Sequence, residues 1–429
     1  MTKRTCLTFP LAALLATAAF AQQNTTMGVD ALRFNTTGWQ NTAFGYEALR
    51  ANTSGSCNAA VGHWGLYSNT IGFCNTALGS YALASNTAAS QNTAVGSSAL
   101  RSNTLGSNNT ALGESALMAN TTAGNNTAVG FSALKFNITG HSNTAIGESA
   151  LSANTANCNT AVGACALAAN TTGKLNVALG RYTLVNNIIG EANTGLGAQA
   201  LYYNTSGSEN TAVGNNALES VATGDSNTAL GRGALNSLSS GSENMGVGRN
   251  AGNGLIRGDG NIYIGSQAGG GVESRTLRLG HSQIRAFISG IYSRTTAGAA
   301  VPVVIDANGQ LGTISSSLRY KEDVVDIGDR ANRLYDLRPV SFRYKSQPGQ
   351  VHFGLIAEEV DQVMPELVVR DLKGQVETVA YHEFIPMLLN EIQKQKRETQ
   401  KQKQENDALR IELAALNHRV EAILLHIRQ

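Results

Sequence analysis

The stretch Asn92-Thr93-Ala94-Val95-Gly96-Ser97-Ser98-Ala99-Leu100 decides the fold, because it returns along the chain with only small changes. It recurs as Asn41–Leu49 and again as Asn210–Leu218. Its glycine recurs at Gly28, Gly45, Gly62, Gly79, Gly96, Gly113, Gly130, Gly147, Gly163, Gly180, Gly197, Gly214, Gly231, Gly248 and Gly265. Every step is 17 residues except that from Gly147 to Gly163, which is 16. The repeat reads N-T-A-h-G-x-x-A-L-x-x-N-T-x-G-x-x, with h apolar.

A fixed period with a fixed glycine is typical of a solenoid whose turns stack. Each turn has two short extended pieces, around Thr-Ala-h and Ala-Leu. Each piece is followed by a corner of Asn, Thr and Gly, residues that suit turns. We expect h and Leu to form inward columns and Asn side chains to form hydrogen-bonded ladders. At a strand spacing of about 4.8 Å, fifteen turns span roughly 70 Å.

One such coil is thin, since it offers few apolar residues per turn and most of them are small. We therefore infer that three chains wrap together and share their inner faces. Residues 24–270 resemble the head domains of trimeric autotransporter adhesins, whose repeats also carry N-T-A-h-G-x-x-A. The resemblance implies a left-handed parallel β-roll and a homotrimer.

Composition separates this repeat region from the rest of the chain. Charged residues make up 14% of the 429 residues, against roughly 25% in ordinary soluble domains. Of the 62 charged residues, 35 lie in residues 316–429. The net charge of +2 gives no electrostatic case for binding nucleic acid.

The N-terminus predicts export. Lys3 and Arg4 precede an apolar stretch that ends at Ala19-Phe20-Ala21, the pattern of a signal peptide over residues 1–21. We therefore expect an extracellular or cell-surface protein with no transmembrane segment in the mature chain. The domains predicted after it are a solenoid at 22–270, a β connector at 271–315, a compact domain at 316–383 and a coiled coil at 384–429.

The mature cysteines lie inside the repeats. Cys57 and Cys74 each precede a repeat glycine by five residues, so they share a column in successive turns within disulfide reach. Export permits that bond. A disulfide and two free thiols both remain open. Cysteine and histidine show no paired spacing, so no metal or cofactor site is predicted.

The connector and the C-terminal region predict short elements. In the connector, 276–279 and 284–288 alternate at strand period, and a hairpin turns at Asn308-Gly309. Farther on we expect a helix at 331–337, strands at 340–345 and 352–356, and a helix at 357–363. A second hairpin turns at Lys373-Gly374, and a long helix begins near His382.

That long helix carries a heptad register, which predicts a coiled coil. The a and d positions are Leu388, Ile392, Gln395, Thr399, Gln402, Asn406, Leu409, Leu413, Leu416, Val420, Ile423 and Ile427. A coiled coil of three helices would match the inferred trimer, whereas the heptad register alone also allows a coiled coil of two.

The C-terminal region resembles the endosialidase-type intramolecular chaperone, a self-processing serine peptidase domain of phage tail spikes and tail fibres. The resemblance rests on Ser316–Val324, on Phe353–Val360 and on the helix that follows. It implies that Ser316 is the nucleophile, that Lys321 is its base, and that the bond between Ser315 and Ser316 is cut. Ser317 stands where many relatives have Asp.

The chemistry requires these residue types, because a serine hydroxyl needs a base beside it and lysine can serve only when neutral. At its usual pKa of about 10.4, lysine must be desolvated to act at pH 7. The sequence thus predicts a trimeric fibre or adhesin-like protein that folds on its chaperone and releases it. The alternatives are a non-cleaving structural or surface-binding protein and a tail-spike-like protein that binds a glycan. The repeats show no recurrent pair of carboxylates for glycan hydrolysis.

Overall fold

The computed structural model describes residues 23–267, 270–288, 291, 298, 300–306, 309–346, 348–371 and 373–427. The predicted signal peptide at 1–21 lies outside these residues. The chain divides into two compact units, the first ending at Phe287 and the second beginning at Ile288.

The first unit is a parallel β-solenoid, as the repeat predicts. Sixteen three-residue strands form one sheet in which each strand pairs with the next in the sequence. The strands are β1 Thr25–Met27, β2 Thr42–Phe44, β3 Ala59–Val61, β4 Thr76–Leu78, β5 Thr93–Val95, β6 Thr110–Leu112, β7 Thr127–Val129, β8 Thr144–Ile146, β9 Thr160–Val162, β10 Val177–Leu179, β11 Thr194–Leu196, β12 Thr211–Val213, β13 Thr228–Leu230, β14 Met245–Val247, β15 Ile262–Ile264 and β16 Leu277–Leu279. The strand expected in the connector at 276–279 is therefore the last rung of the solenoid.

The single 16-residue step leaves the strand register intact. Thr144 still pairs with Thr160, just as Thr42 pairs with Ala59 seventeen residues on. The missing residue is absorbed at a corner, where Asn154 Nδ2 donates to the carbonyl two residues on, at 2.8 Å. The sheet tolerates the shorter turn because the change falls outside the paired strands.

Two asparagine ladders run along the solenoid, as expected. Asn41 Oδ1 accepts from the backbone N–H of Asn58 at 3.0 Å, and Asn52 Nδ2 donates to Asn35 Oδ1 at 2.8 Å. The carbonyl of Gly55 accepts from both Asn41 and Asn52, each at 2.9 Å. Most of these side chains are buried, and the ladders satisfy polar groups that would otherwise be costly there.

The inward columns are alanine and leucine rather than h. In each Thr-Ala-h strand the central residue is buried and its two neighbours point outward, as in β4 Thr76–Leu78. Leu83 and Leu100 of the Ala-Leu segments are completely buried. The expectation that h points inward is wrong, because strand side chains alternate between faces and the alanine already occupies the inner one.

One chain therefore encloses its own core. The buried cluster contains alanine or leucine from nearly every turn, together with the Asn ladders. The solenoid therefore does not need two further chains to cover its interior, and the prediction that it does is wrong. Any trimer must be supported by other surfaces.

Near the end of the solenoid core, one larger residue is accompanied by a smaller one beside it. Tyr263 occupies an alanine position in β15 and is completely buried. Gly252 stands where other turns have leucine, and a Cβ there would come within 2.6 Å of the Tyr263 ring. The missing side chain of Gly252 therefore makes room for the tyrosine.

A polar cluster lies beside this tyrosine. Tyr263 donates to Glu273 Oε1 at 2.6 Å, and Glu273 pairs with Arg278 at 2.7 Å. Burial, followed by the bond to Glu273, raises the pKa of Tyr263 far above its usual value. The phenol therefore stays a hydrogen-bond donor at the end of the apolar column.

The backbone of each turn enters the left-handed region at unexpected positions. Leu83 has φ +52° and Leu100 has φ +50°, although leucine rarely adopts this conformation. The Leu83 N–H donates to the Ala99 carbonyl of the next turn at 3.0 Å, which helps hold it there. The repeat glycines are more restricted still: Gly62 has φ +134°, a conformation in which L side chains are strained.

We expect Gly62→Ala to destabilise the solenoid, since its new Cβ would lie 2.6 Å from the Gly79 carbonyl oxygen. The matched control is Gly65→Ala in the same turn. Its Cβ meets nothing closer than 3.5 Å, and other turns carry alanine there. Urea unfolding followed by circular dichroism should show a loss of about 1–3 kcal/mol for Gly62→Ala. Gly65→Ala should be neutral or gain up to about 1 kcal/mol, and equal losses would contradict this account.

The second unit contains three two-stranded antiparallel sheets and a long helix. The strands are β17 Val304–Ile305 with β18 Leu311–Gly312, β19 Val340–Phe342 with β20 His352–Gly354, and β21 Val368–Arg370 with β22 Val376–Val379. The helices are α1 Ala357–Val363 and α2 Tyr381–Ile427, with 3₁₀ turns at Leu318–Tyr320, Gly328–Asp336 and Pro365–Leu367.

Most of the short elements expected here are confirmed. The helix predicted at 331–337 is the 3₁₀ helix Gly328–Asp336, and the hairpins around 309 and 374 both form. The strand predicted at 284–288 is wrong, since these residues pair with no other segment in the described parts of the chain. None of the helices described is both long enough and apolar enough to span a bilayer.

Candidate functional site

The segment around the predicted cleavage site forms a short turn. The 3₁₀ helix Leu318–Tyr320 is closed by bonds from Tyr320 N to Ser317 O at 3.1 Å and from Lys321 N to Leu318 O at 3.0 Å. Ser317 N also donates to Ser315 Oγ at 3.3 Å. Ser316 and Lys321 therefore stand on either side of this turn.

The single chain does not join the two predicted catalytic residues. Ser316 and Lys321 are both exposed, and no hydrogen bond links their side chains within the described segment 309–346. Lysine acts as a base only when desolvation favours its neutral form, and an exposed side chain lacks that environment. The segment has the required residues but not the surroundings in which they could react.

Apolar side chains of this segment are also left uncovered. Leu318 is 72% exposed, and Tyr320, Val324 and Val325 are exposed to a similar degree. The Arg319 guanidinium lies over the Tyr320 ring, 4.7 Å from its centroid. Exposed large apolar side chains so close together in the sequence are typical of a surface that another polypeptide covers.

A small apolar core follows this segment in the sequence. Val360 and Met364 of the α1 region pack with Leu367, Val379 and Phe384. A hydrogen bond from Leu355 N to the Tyr381 hydroxyl, at 2.9 Å, joins the end of β20 to the start of α2. An ion pair between Arg338 and Glu359 ties the segment before β19 to α1, with Nε donating at 3.1 Å.

The long helix α2 is anchored to the 3₁₀ helix Gly328–Asp336 by polar contacts. Lys394 Nζ donates to Asp329 at 2.6 Å, and Asn390 Nδ2 donates to the Gly328 carbonyl at 2.9 Å. Tyr335 donates to the buried Glu391 at 3.2 Å. The hydrogen bond from Lys394 lowers the pKa of Asp329, and the same contact raises the pKa of Lys394.

Beyond these contacts the heptad stripe of α2 is uncovered. Leu409, Leu413, Leu416, Val420, Ile423 and Ile427 are all exposed. They lie at the a and d positions identified in the sequence, which in a coiled coil pack against partner helices.

The two cysteines of the predicted pair are free thiols, and their side chains are neighbours. Desolvation raises the pKa of the Cys57 thiol, and interaction with Cys74 adds to the rise. Cys57 Sγ also donates to Gln40 Oε1 at 3.7 Å. The two sulfur atoms are close but not bonded, so the disulfide stays a prediction.

An aromatic cluster that sequence analysis missed lies on the first turns of the solenoid. Tyr46 stacks on His63 with centroids 5.4 Å apart, and His63 stacks on Trp64 at 5.3 Å. Tyr67 stacks on Trp64 at 4.9 Å and accepts a hydrogen bond from Arg50 at 2.8 Å. The available signal was the 17-residue spacing of Tyr46 and His63 and of Arg50 and Tyr67, which places each pair in one column.

Comparison with known proteins identifies the C-terminal segment. Residues 316–369 match the family model described as chaperone of endosialidase. No curated protein and no solved structure matches the chain. A parallel β-solenoid followed by such a chaperone segment fits a tail spike or tail fibre, and the family implies a role in self-association.

The ion pair between Asp329 and Lys394 predicts a pH dependence. A lowered carboxylate pKa means that this contact stabilises the fold above the ordinary aspartate pKa of about 3.9 and is lost as pH falls through the lowered value. We expect Asp329→Asn to reduce the fall in thermal stability of the full chain between pH 7 and pH 2. The effect should be small, because Asp329 is exposed.

The control for this experiment is Asp326→Asn, since Asp326 forms no ion pair within the described residues. Melting temperatures measured by calorimetry should keep the wild-type pH dependence in this variant. If both variants changed it equally, the assigned role of the Asp329 contact would be wrong.

Proposed function

We propose that the chain is an exported trimeric fibre or adhesin-like protein whose C-terminal chaperone drives trimer folding and then detaches. The single observation that carries this proposal is the chaperone-of-endosialidase match, which begins at Ser316, the residue after the proposed cleavage site. The solenoid before it is the part of the chain whose folding the chaperone would assist. Parallel solenoids pair segments one after another, and a C-terminal trimer would give three chains a common register before they fold.

The proposed reaction is a single cleavage of the chain between Ser315 and Ser316. Neutral Lys321 accepts the proton of the Ser316 hydroxyl as Oγ attacks the Ser315 carbonyl carbon. The peptide C–N bond breaks, the protonated lysine returns the proton to the leaving nitrogen, and Ser315 becomes esterified to Oγ. Water then hydrolyses the ester, leaving a carboxylate at Ser315 and a free amine at Ser316.

Assembly would supply the environment that Lys321 lacks in one chain. Leu318, Tyr320, Val324 and Val325 are exposed on either side of it in the sequence, so covering them would also desolvate the lysine. Cutting would then follow trimer formation, because a charged lysine in water cannot act as a base. The chaperone would then be released only after the trimer has folded.

The proposal keeps the domain organisation expected from the sequence. A signal peptide at 1–21 would direct export. The solenoid expected at 22–270 runs on to β16, Leu277–Leu279, within the connector expected at 271–315. The chaperone domain at 316–383 and the coiled coil at 384–429 would leave together. The exposed heptad stripe of α2 supports self-association through the coiled coil.

Self-cleavage is tested on denaturing gels of purified full-length protein. We expect a 114-residue fragment that begins at Ser316. Ser316→Ala and Lys321→Ala should each abolish it, because one removes the nucleophile and the other its base. N-terminal sequencing of the fragment checks the bond.

Two controls accompany this experiment. Lys373→Ala removes an exposed lysine between β21 and β22 and should leave cleavage unchanged. Ser317→Asp should speed cleavage, since many relatives of the family have Asp there. An uncut wild-type trimer would refute self-cleavage and favour the non-cleaving structural protein.

A second candidate is binding of a surface glycan, which the aromatic cluster favours. Tyr46 is about half exposed and stacks on His63, which is also exposed. Aromatic rings with nearby polar donors offer both apolar contact and hydrogen bonds.

We expect Tyr46→Ala to weaken binding to purified surface polysaccharides by about fivefold or more, measured by calorimetric titration. Phe131→Ala is the control, because this exposed aromatic residue shares the column of Tyr46 but lies five turns away. If the wild-type chain bound no polysaccharide, or both variants bound alike, this site would be excluded.

A further inference from the structure

We propose that the outer strand face of the solenoid is a contact surface for further copies of the same chain. The outer strand face consists of the first and third residues of strands β1–β16, which flank a central residue that is buried in every strand from β2 to β15. This inference rests on the proposed self-association. It assigns the contact to a surface that neither the sequence pattern nor the family match identifies.

The outer strand face carries no charged residue along its whole length. Its third-residue column is Met27, Phe44, Val61, Leu78, Val95, Leu112, Val129, Ile146, Val162, Leu179, Leu196, Val213, Leu230, Val247, Ile264 and Leu279. Its first-residue column is threonine in most turns and apolar in the others. Exposed columns elsewhere on the solenoid are mixed: the position after the repeat glycine holds Tyr46, Glu114 and Arg181.

The apolar column is open to solvent in a single chain. Leu112 is 46% exposed, and Leu78, Leu179 and Leu230 have similar exposure. At about 4.8 Å per rung and about 3.3 Å per residue, the face is roughly 70 Å by 10 Å, or about 700 Å². The face therefore approaches the area of about 800 Å² per partner that a standard interface buries, with an apolar column beside a column that is mostly threonine.

The regular repeat of the outer strand face favours a second copy of the chain as the partner that covers it. Each rung presents a similar pair of side chains in register for sixteen strands, so a partner that matched the face throughout would need the same rise per turn. A second copy has that rise and the same uncharged surface. The heptad stripe of α2 is uncovered in the same chain, so self-association is indicated independently in both units.

The test is site-specific photo-cross-linking of the full-length protein. The photoreactive residue p-benzoylphenylalanine replaces Leu112 on the outer strand face or, as the matched control, Leu105 in a different column of the adjoining turn. Leu105 is 58% exposed, so both probes are accessible in one chain. We expect chain-to-chain products on denaturing gels from position 112 and at least fivefold less from position 105.

A second variant separates loss of contact from loss of fold. Leu112→Lys with Ile146→Lys places a charge on each rung that flanks Val129 and leaves the buried columns unchanged, since both side chains are exposed. Circular dichroism should match the wild type, whereas chain-to-chain cross-linking from a probe at Val129 should fall at least fivefold. Unchanged cross-linking would overturn the proposed contact.

Light scattering of the same samples separates this inference from the proposed function. An oligomer without cross-links at position 112 would overturn the outer strand face as a contact and leave chaperone-driven assembly standing. A monodisperse single chain would overturn both. Cross-links at 112 in an oligomer that never cuts itself would support the contact and refute only the cleavage.

Discussion

The constraint on which the solenoid depends is that most turns bury two asparagine side chains, whose amides bond to the adjacent turns as well as to their own corner. Asn41 and Asn52 both donate to the Gly55 carbonyl, and Asn58 of the next turn donates to Asn41. A buried amide without partners costs about 1–3 kcal/mol, so a slipped turn would lose several such bonds together. The ladders therefore fix the period as firmly as the strands do, and the single shorter turn occurs at a corner where Asn154 can still reach a carbonyl.

The narrow interior explains which residues the repeat requires. Alanine from the strand and leucine from the opposite segment fill it, so any larger side chain needs a smaller neighbour. Thr183 replaces an alanine, and Gly195 faces it where a Cβ would lie 2.5 Å from the threonine methyl group. The Thr183 hydroxyl donates to the Gly197 carbonyl at 2.6 Å, which satisfies the added polar atom. Tyr263 and Gly252 make the same exchange on a larger scale.

Much of this fold could be predicted from the sequence, because period and chemistry repeat together. The spacing of Gly62 and Gly79 gives the turn length, and the recurring Asn-Thr gives the ladders. Whether the apolar residue h points into or out of the solenoid could not be deduced so directly. Val95 is more apolar than Ala94, so sequence alone favours burying the larger residue. Alternation decides otherwise, because the inner side of the strand is narrow and holds the small alanine in most turns. At the candidate site, the family motif supplied Ser316 and Lys321, but a motif does not contain the surroundings that leave both side chains exposed in one chain.

The two units leave apolar surface uncovered in different ways, and this bears on how assembly would proceed. The solenoid is complete inside and uncharged along one outer face, so further copies would add to a structure that already has a core. The helix α2 has no such core beyond its first turns, since Leu409 and Leu416 meet solvent unless another helix covers them. A helix stripe of this kind gains most from a partner and has a fixed register, whereas a uniform face could pair one turn out of step. Association that began at α2 would align the uniform faces before they met, which gives a physical reason for placing the chaperone at the end of the repeats.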